Sequence, residues 1–223
     1  MATPPPGIGS GARASERGRL LVATRSRHKL RELRELLDIR AELCDLDDVG
    51  ITEEAVEDGE TFEANAAIKA RFYAGLAGMP TLADDSGIEV DALGGGPGVR
   101  TRRYAGEHAT DEENNVKLLG ALDGLPPEKR GARYRCALAL ALPEEHGPRG
   151  GQPLRYARGT MEGRIAVAPR GDGGFGYDPI FEPAVEPAGG RTLGEWTAEA
   201  KNAISHRGKA ARRMRKILLG LGF

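Results

Sequence analysis

Arg19-Leu20-Leu21-Val22-Ala23-Thr24-Arg25-Ser26-Arg27-His28-Lys29-Leu30 is the stretch whose reading decides the fold. Its first half is a short apolar run suited to a buried strand. From Ser26 onward, Leu30, Leu33, Leu36 and Leu37 recur at helical spacing and form one apolar stripe. A strand that runs almost directly into an amphipathic helix is an α/β beginning, because the stripe must be buried against a sheet.

Downstream, Ala41 to Leu46 reads as a second strand, and Asp47 to Gly59 as an irregular acidic stretch. Thr61 to Ala77 reads as a helix packed through Phe62, Ala66, Phe72, Tyr73 and Leu76. Thr81-Leu82-Ala83 and Ile88-Glu89-Val90 read as two strand pieces flanking Asp84-Asp85-Ser86-Gly87, and Gly94 to Gly98 must be a loop. Thr110 and Glu113 make a capping box for a helix carrying Val116, Leu118, Leu119 and Leu122. Strict alternation of Tyr134, Cys136, Leu138, Leu140 and Leu142 predicts a long strand. Leu154 to Ile165 is its neighbour, reached by a hairpin around Gly150-Gly151. Thr192 with Glu195 is a second capping box, and Ser205 caps a basic last helix that buries Met214, Ile217, Leu218 and Leu221. Helices and strands mix without strict alternation or repeat, which predicts an α/β fold with a mixed sheet.

The chain has 223 residues, of which 39% are hydrophobic and 29% charged, enough for one large domain with a real core. Its 32 Lys and Arg against 33 Asp and Glu leave no global positive field to gather nucleic acid or an anionic membrane. Any anion must therefore be held by local groups. Met1 to Gly18, rich in Pro, Gly, Ala, Ser and Arg, reads as a disordered extension without a secretory signal, ahead of a domain spanning 19–223. Cys44 and Cys136 lie far apart without CxxC spacing, so they read as inert thiols in a cytoplasmic protein.

Four segments place polar residues where the chain turns. In Thr24-Arg25-Ser26-Arg27-His28-Lys29, a helix start offers free amides, two hydroxyls and a lysine to a phosphate. Asp84 and Asp85 follow an apolar run, where unpaired carboxylates are costly; they suit a magnesium ion or a proton acceptor for water. The nearby acids Glu53, Glu54, Glu57 and Asp58 are candidates to complete a metal site. The third segment, Gly171 to Pro179, formally contains GxGxxG, but Asp178-Pro179 follows at once and leaves no room for a helix to open onto a dinucleotide. What remains is a flexible loop offering Phe175, Tyr177 and Asp178 to a base. The fourth, Lys201 with Ser205-His206-Arg207-Gly208-Lys209, gathers cations at a helix start, which the helix dipole disfavours unless an anion sits there. A Walker A lysine motif and a GxSxG elbow are both absent.

These segments, with Thr61-Phe62-Glu63-Ala64-Asn65-Ala66, Lys69-Ala70, Ala83-Asp84-Asp85-Ser86-Gly87, Pro97-Gly98 and Arg103-Tyr104-Ala105-Gly106, form an ordered set. Gly173-Gly174-Phe175-Gly176-Tyr177-Asp178-Pro179-Ile180-Phe181 and Lys201-Asn202-Ala203-Ile204-Ser205-His206-Arg207-Gly208 complete it. The set closely resembles the inosine triphosphatase family, pyrophosphatases of non-standard purine nucleoside triphosphates. The resemblance implies an elongated mixed sheet flanked by helices, two lobes with a central cleft, and a homodimer. It implies hydrolysis of ITP, dITP and XTP to monophosphate and pyrophosphate with Mg2+, cleansing the nucleotide pool. By the same resemblance Asp85 is the proton acceptor and a magnesium ligand, and Glu57 is a second ligand, with Asp84 a further candidate. Thr24, Arg25, Ser26, Arg27, His28, Lys29 and Ser86 fall to the phosphates. Phe175, Gly176, Tyr177 and Asp178, with Lys201, His206 and Arg207, fall to the base. One departure stands out: the first loop of the family reads Thr-Gly-Asn, whereas this chain has Thr24-Arg25-Ser26. The rival reading is a module that binds nucleotides or single strands through Phe175, Tyr177 and the basic last helix; it gives no reason for Asp84-Asp85.

Overall fold

The structure, a computed structural model, describes residues 18–143 and 153–223. The expected hairpin at Gly150-Gly151 and the expected extension, up to residue 17, lie outside the described residues. The elements run β1 (Arg19–Val22), α1 (Arg27–Leu37), β2 (Glu42–Cys44), α2 (Phe62–Ala77), β3 (Thr81–Val90) and α3 (Asp111–Ala121). They continue with β4 (Gly131–Ala141), β5 (Arg155–Ile165), β6 (Phe181–Pro183), α4 (Ala198–Ile204) and α5 (His206–Gly220). One six-stranded sheet has the order β2-β1-β3-β4-β5-β6. β1 is parallel to both β2 and β3, and the remaining pairs are antiparallel, so the sheet is mixed as expected.

The expected break at Asp84-Asp85-Ser86-Gly87 does not exist. β3 runs unbroken through these residues and pairs with β4 from Thr81↔Ala141 to Val90↔Ala132. Its alternation sends side chains to two different layers. Leu82 joins Cys136, Leu138 and Leu140 under α1 and α5, with Leu30, Leu33, Ala210 and Met214. Ala83 joins Ala137, Ala139 and Ala141 under α2, with Phe62, Ala66, Ala70 and Ala74. Alanines on both the helix and the sheet let α2 lie close. Farther along the same strands, Ile88, Val90, Tyr134 and Met161 pack with Leu118, Tyr177 and Phe181.

The helix termini follow the sequence closely. Ser26 and Thr61 accept from backbone amides three residues on, and Thr110 with Glu113 forms its capping box. Ser205 caps α5 by accepting from Gly208 N. Thr192 and Glu195 also form their box, but it closes only a three-residue 3-10 turn. Phe72 and Leu76, expected to pack, are instead 37% and 48% exposed on α2, and Leu221 is 40% exposed.

Gly159 on β5 lets α5 approach the sheet. A Cβ there would collide with the His206 carbonyl and stand 2.7 Å from Ala210 N. Since both are backbone atoms, the helix must move to relieve the clash. Gly159→Ala is therefore expected to cost about 1–3 kcal/mol, the usual range for overpacking, and to lower the urea unfolding midpoint. An unchanged midpoint would show that α5 shifts freely.

Candidate active site

The junction between β1 and α1 forms the first wall. Thr24 Oγ1 accepts from Ser26 N at 3.0 Å, and Ser26 Oγ accepts from Lys29 N at 3.4 Å. Both hydroxyls thus keep their own protons for another acceptor. The first turn of α1 carries no acid to compete for its positive end. Arg27 and His28 are exposed there. Arg25 points elsewhere: its guanidinium donates to the carbonyls of Ile51 (2.9 Å) and Glu53 (3.4 Å) in the acidic stretch.

Alternation along β3 divides Asp84 from Asp85. Asp84 lies on the α1/α5 side, where its oxygens meet Lys29 Nζ at 2.6 Å and Arg207 Nε at 3.1 Å. Ser86 Oγ and Cys136 Sγ donate to it as well, at 3.1 and 3.2 Å. Burial alone would raise the Asp84 pKa, but Arg207 and Lys29 outweigh it and hold the carboxyl well below its ordinary value. With four partners in place, Asp84 organises cations rather than offering free oxygens to a metal. Arg207 also donates to Glu32 Oε2 (2.6 Å) and Ser86 Oγ (2.9 Å).

Asp85 lies on the α2 side. Lys69 Nζ bridges it at 2.9 Å to Glu57 at 2.7 Å. Burial alone would lower the Lys69 pKa, but Asp85 and Glu57 together raise it. For Asp85 burial wins over Lys69, and the pKa is raised. Asp85 Oδ2 is buried without a partner, a state that costs about 1–3 kcal/mol unless something satisfies it. No group of three His, Cys, Asp or Glu converges on a metal position among the described residues. Two carboxylates with one open oxygen nevertheless fit magnesium, which takes one or two protein carboxylates and completes its shell with water and phosphate.

The glycine loop is pinned, not flexible. Gly173 N donates to Gly194 O (2.9 Å), Phe175 N to Asp178 Oδ2 (3.0 Å) and Gly176 N to Asp111 Oδ2 (2.7 Å). Gly174 has φ +77°, and a Cβ there would strike the Asp178 carboxylate. Only a three-residue turn, Asp178–Ile180, opens at the proline, so the dinucleotide reading stays excluded. Of the two aromatics expected to meet a base, Tyr177 faces the core instead, 2% exposed and donating to Thr101 O at 2.8 Å. Its hydroxyl finds a backbone acceptor there that an outward ring would forgo.

Phe175 is half-buried, with Lys201 Nζ 4.5 Å and the Arg207 guanidinium 5.7 Å from its ring centre. His28 stacks beside it at 6.0 Å. Lys201 Nζ donates to Asp178 Oδ2 at 2.6 Å. His206 stacks on Tyr134 at 4.7 Å between ring centres; burial, with Arg207 and Lys201 adding, holds its pKa well below the ordinary value and keeps it neutral. Its Nδ1 is buried without a partner. Beside this loop, Trp196 follows Gly194, with its indole Nε1 buried and unpartnered and Arg191 5.3 Å over its ring.

Lys69 and Glu32 belong to the site although sequence reasoning gave them no role. The signal for Lys69 was present: it sits between Ala66 and Ala70, on the inward face of α2, where a lysine needs a partner. Cys136, read as inert, is a buried donor to Asp84.

Hydroxyls, helix amides and buried cation–carboxylate pairs thus gather around one strand. The dITP/XTP pyrophosphatase of Geobacter sulfurreducens is 49% identical over 193 residues, covering 86% of this chain and 92% of that protein. The protein of the same name from Syntrophobacter fumaroxidans is 50% identical over 192 residues, covering 86% and 78%. The solved structure of a HAM1 protein from Coxiella burnetii is similar with a TM-score of 0.79 at 40% identity, covering 91% of this chain and 99% of that one. A family model described as Ham1 family matches residues 20–217, and the chain belongs to that family.

The Asp84 network makes stability depend on acid. Because the folded pKa lies below the ordinary 3.8, its contribution is complete above about pH 4 and is lost as the pH falls toward the folded value. Asp84→Asn, which takes the carboxylate from Lys29 and leaves Arg207 only Glu32, is expected to cost about 3–5 kcal/mol near neutrality. The difference between parent and variant should then shrink below about pH 4, as followed by urea unfolding at stepped pH. A difference independent of pH would contradict the ionised network.

Proposed function

We propose that this chain hydrolyses ITP, dITP and XTP to the monophosphate and pyrophosphate, clearing them before a polymerase incorporates them. The observation that carries the reading is Asp85: a buried carboxylate held by Lys69, with one oxygen unpartnered. It stands on the strand next to β1, from whose end the Thr24–Lys29 turn leads. The activity named for the relatives at 49% and 50% identity supports it.

In this reading the amides at the start of α1, the hydroxyls of Thr24 and Ser26, and Lys29 hold the phosphate chain. Ser86 is shared between Asp84 and Arg207 and keeps those groups in register. Asp85 accepts the proton of the water that attacks the α-phosphorus, and the rise in its pKa on burial suits that task. Lys29, Lys69, Lys201 and Arg207 already face Glu32, Glu57, Asp84, Asp85 and Asp178, so these four bring no surplus positive charge to neutralise a triphosphate. Glu57 and Asp85 would hold magnesium, which when bound would supply that charge and Lewis-acid polarisation of the phosphate. Phe175 offers a ring for the base, while Lys201 and its neighbours meet the 6-oxo edge. Adenine presents a donor there, and a site built for an acceptor can reject it by about 10⁴–10⁵. The family likeness extends the proposal to a cytoplasmic homodimer.

Pyrophosphate release from ITP, XTP, GTP and ATP, measured with magnesium and with chelator, tests this directly. Release is expected to require magnesium and to favour ITP and XTP. Asp85→Asn should lower the rate by at least about 100-fold while the circular dichroism stays that of a folded chain. Tight nucleotide binding without turnover in the parent protein would instead favour the binding module.

A further inference from the structure

Arg25 lies in the turn between β1 and α1, and its side chain leaves that turn. Its guanidinium crosses to the acidic stretch between β2 and α2. There it donates to Ile51 O (2.9 Å) and Glu53 O (3.4 Å), and lies 3.7 Å from both Asp47 and Glu54. The two carboxylates are 69% and 84% exposed, so these ion pairs contribute little. Both carbonyls accept from one nitrogen, Nη2, while Nε faces Asp47 and Nη1 faces Glu54, so the planar group spans four partners of the stretch with three nitrogens held in one rigid geometry.

The stretch it holds has no helix or strand of its own. Tyr73 anchors it from α2, donating to the same Glu53 carbonyl at 3.3 Å and accepting from Ala55 N at 3.3 Å. Asn65 accepts from Gly59 N at 2.8 Å and fixes its end. Glu57 lies between these anchors, reaching Lys69 and the Asp85 group. Arg25 is the anchor that comes from the phosphate-binding turn, so it ties the turn to the segment that carries Glu57.

We infer that Arg25 is a positioning residue that pins residues 51–55 against the β1–α1 turn and so holds Glu57 in place as a metal ligand. The inference rests on the reading of Glu57 and Asp85 as metal ligands given above. Groups that orient a ligand from behind commonly change metal affinity by about 10–100-fold when removed.

The test is Mn2+ binding to the nucleotide-free protein, titrated by electron paramagnetic resonance, in parent, Arg25→Gly and Arg25→Lys. Amide hydrogen exchange over residues 51–57 is followed in the same three proteins, and the KM for ITP is measured alongside. Both variants are expected to bind Mn2+ about tenfold more weakly and to exchange these amides faster, because the single nitrogen of lysine cannot span the partners that the three guanidinium nitrogens meet together. Unchanged Mn2+ affinity and exchange, with a raised KM that lysine restores, would make Arg25 a phosphate contact and overturn the inference. Failure of the parent chain to bind Mn2+ at all would overturn the metal reading of Glu57 and Asp85. That outcome is distinct from parent and variants binding alike, which removes the role of Arg25 alone.

Discussion

The ion pair between Arg207 and Asp84 lies where almost no water reaches, with side chains 3% and 1% exposed. Taking two such charges out of water costs several kcal/mol each, and their attraction repays this only when every remaining donor and acceptor is satisfied. The structure meets that demand by drawing in Lys29 and Glu32 from α1, Ser86 from β3 and Cys136 from β4. Each recruited group fixes the element that carries it. The first turn of α1 and the start of α5 therefore converge on one strand, and the β1–α1 turn acquires its orientation from a buried contact behind it.

The second constraint is the period of two along β3. Neighbouring aspartates on a strand point to opposite layers, so the sheet itself separates a carboxylate that organises from one that is available. Asp84 is surrounded by cations and strongly acidic, whereas Asp85 retains an open oxygen and a raised pKa. Two carboxylates adjacent in sequence thus take different chemical characters without any special motif. The environments on the two faces push their proton affinities apart, the arrangement by which one fold assigns distinct tasks to like groups.

Much of the fold was legible because local signals and packing agreed. The alternation of Tyr134 to Leu140, the leucine stripe of α1 and the caps at Ser26, Thr110 and Ser205 all hold in three dimensions. The reading failed where long-range partners decide. Asp84 to Gly87 looked like a turn since carboxylates, serine and glycine rarely sit inside a strand; ten paired positions on β4 and the cations beneath make it one. β6 is only three residues long and leaves no pattern to read. Tyr177 was assigned outward from its place in a glycine-rich loop, but the carbonyl of Thr101, 76 positions away in sequence, claims its hydroxyl. Lys69 and Arg25 show the same limit: their residue types were visible, and their partners were not.

Trp196 is the only tryptophan in the chain. It lies two residues after Gly194, whose carbonyl accepts from Gly173 in the pinned loop, and two residues before α4, which carries Lys201. Its ring lies under a guanidinium, with its own N–H shut away from water. Emission excited beyond the tyrosine absorption band therefore arises from one indole seated between the pinned loop and α4. The fold has in effect placed its one indole against the pinned glycine loop, so a change in that loop can be read optically from the unlabelled chain.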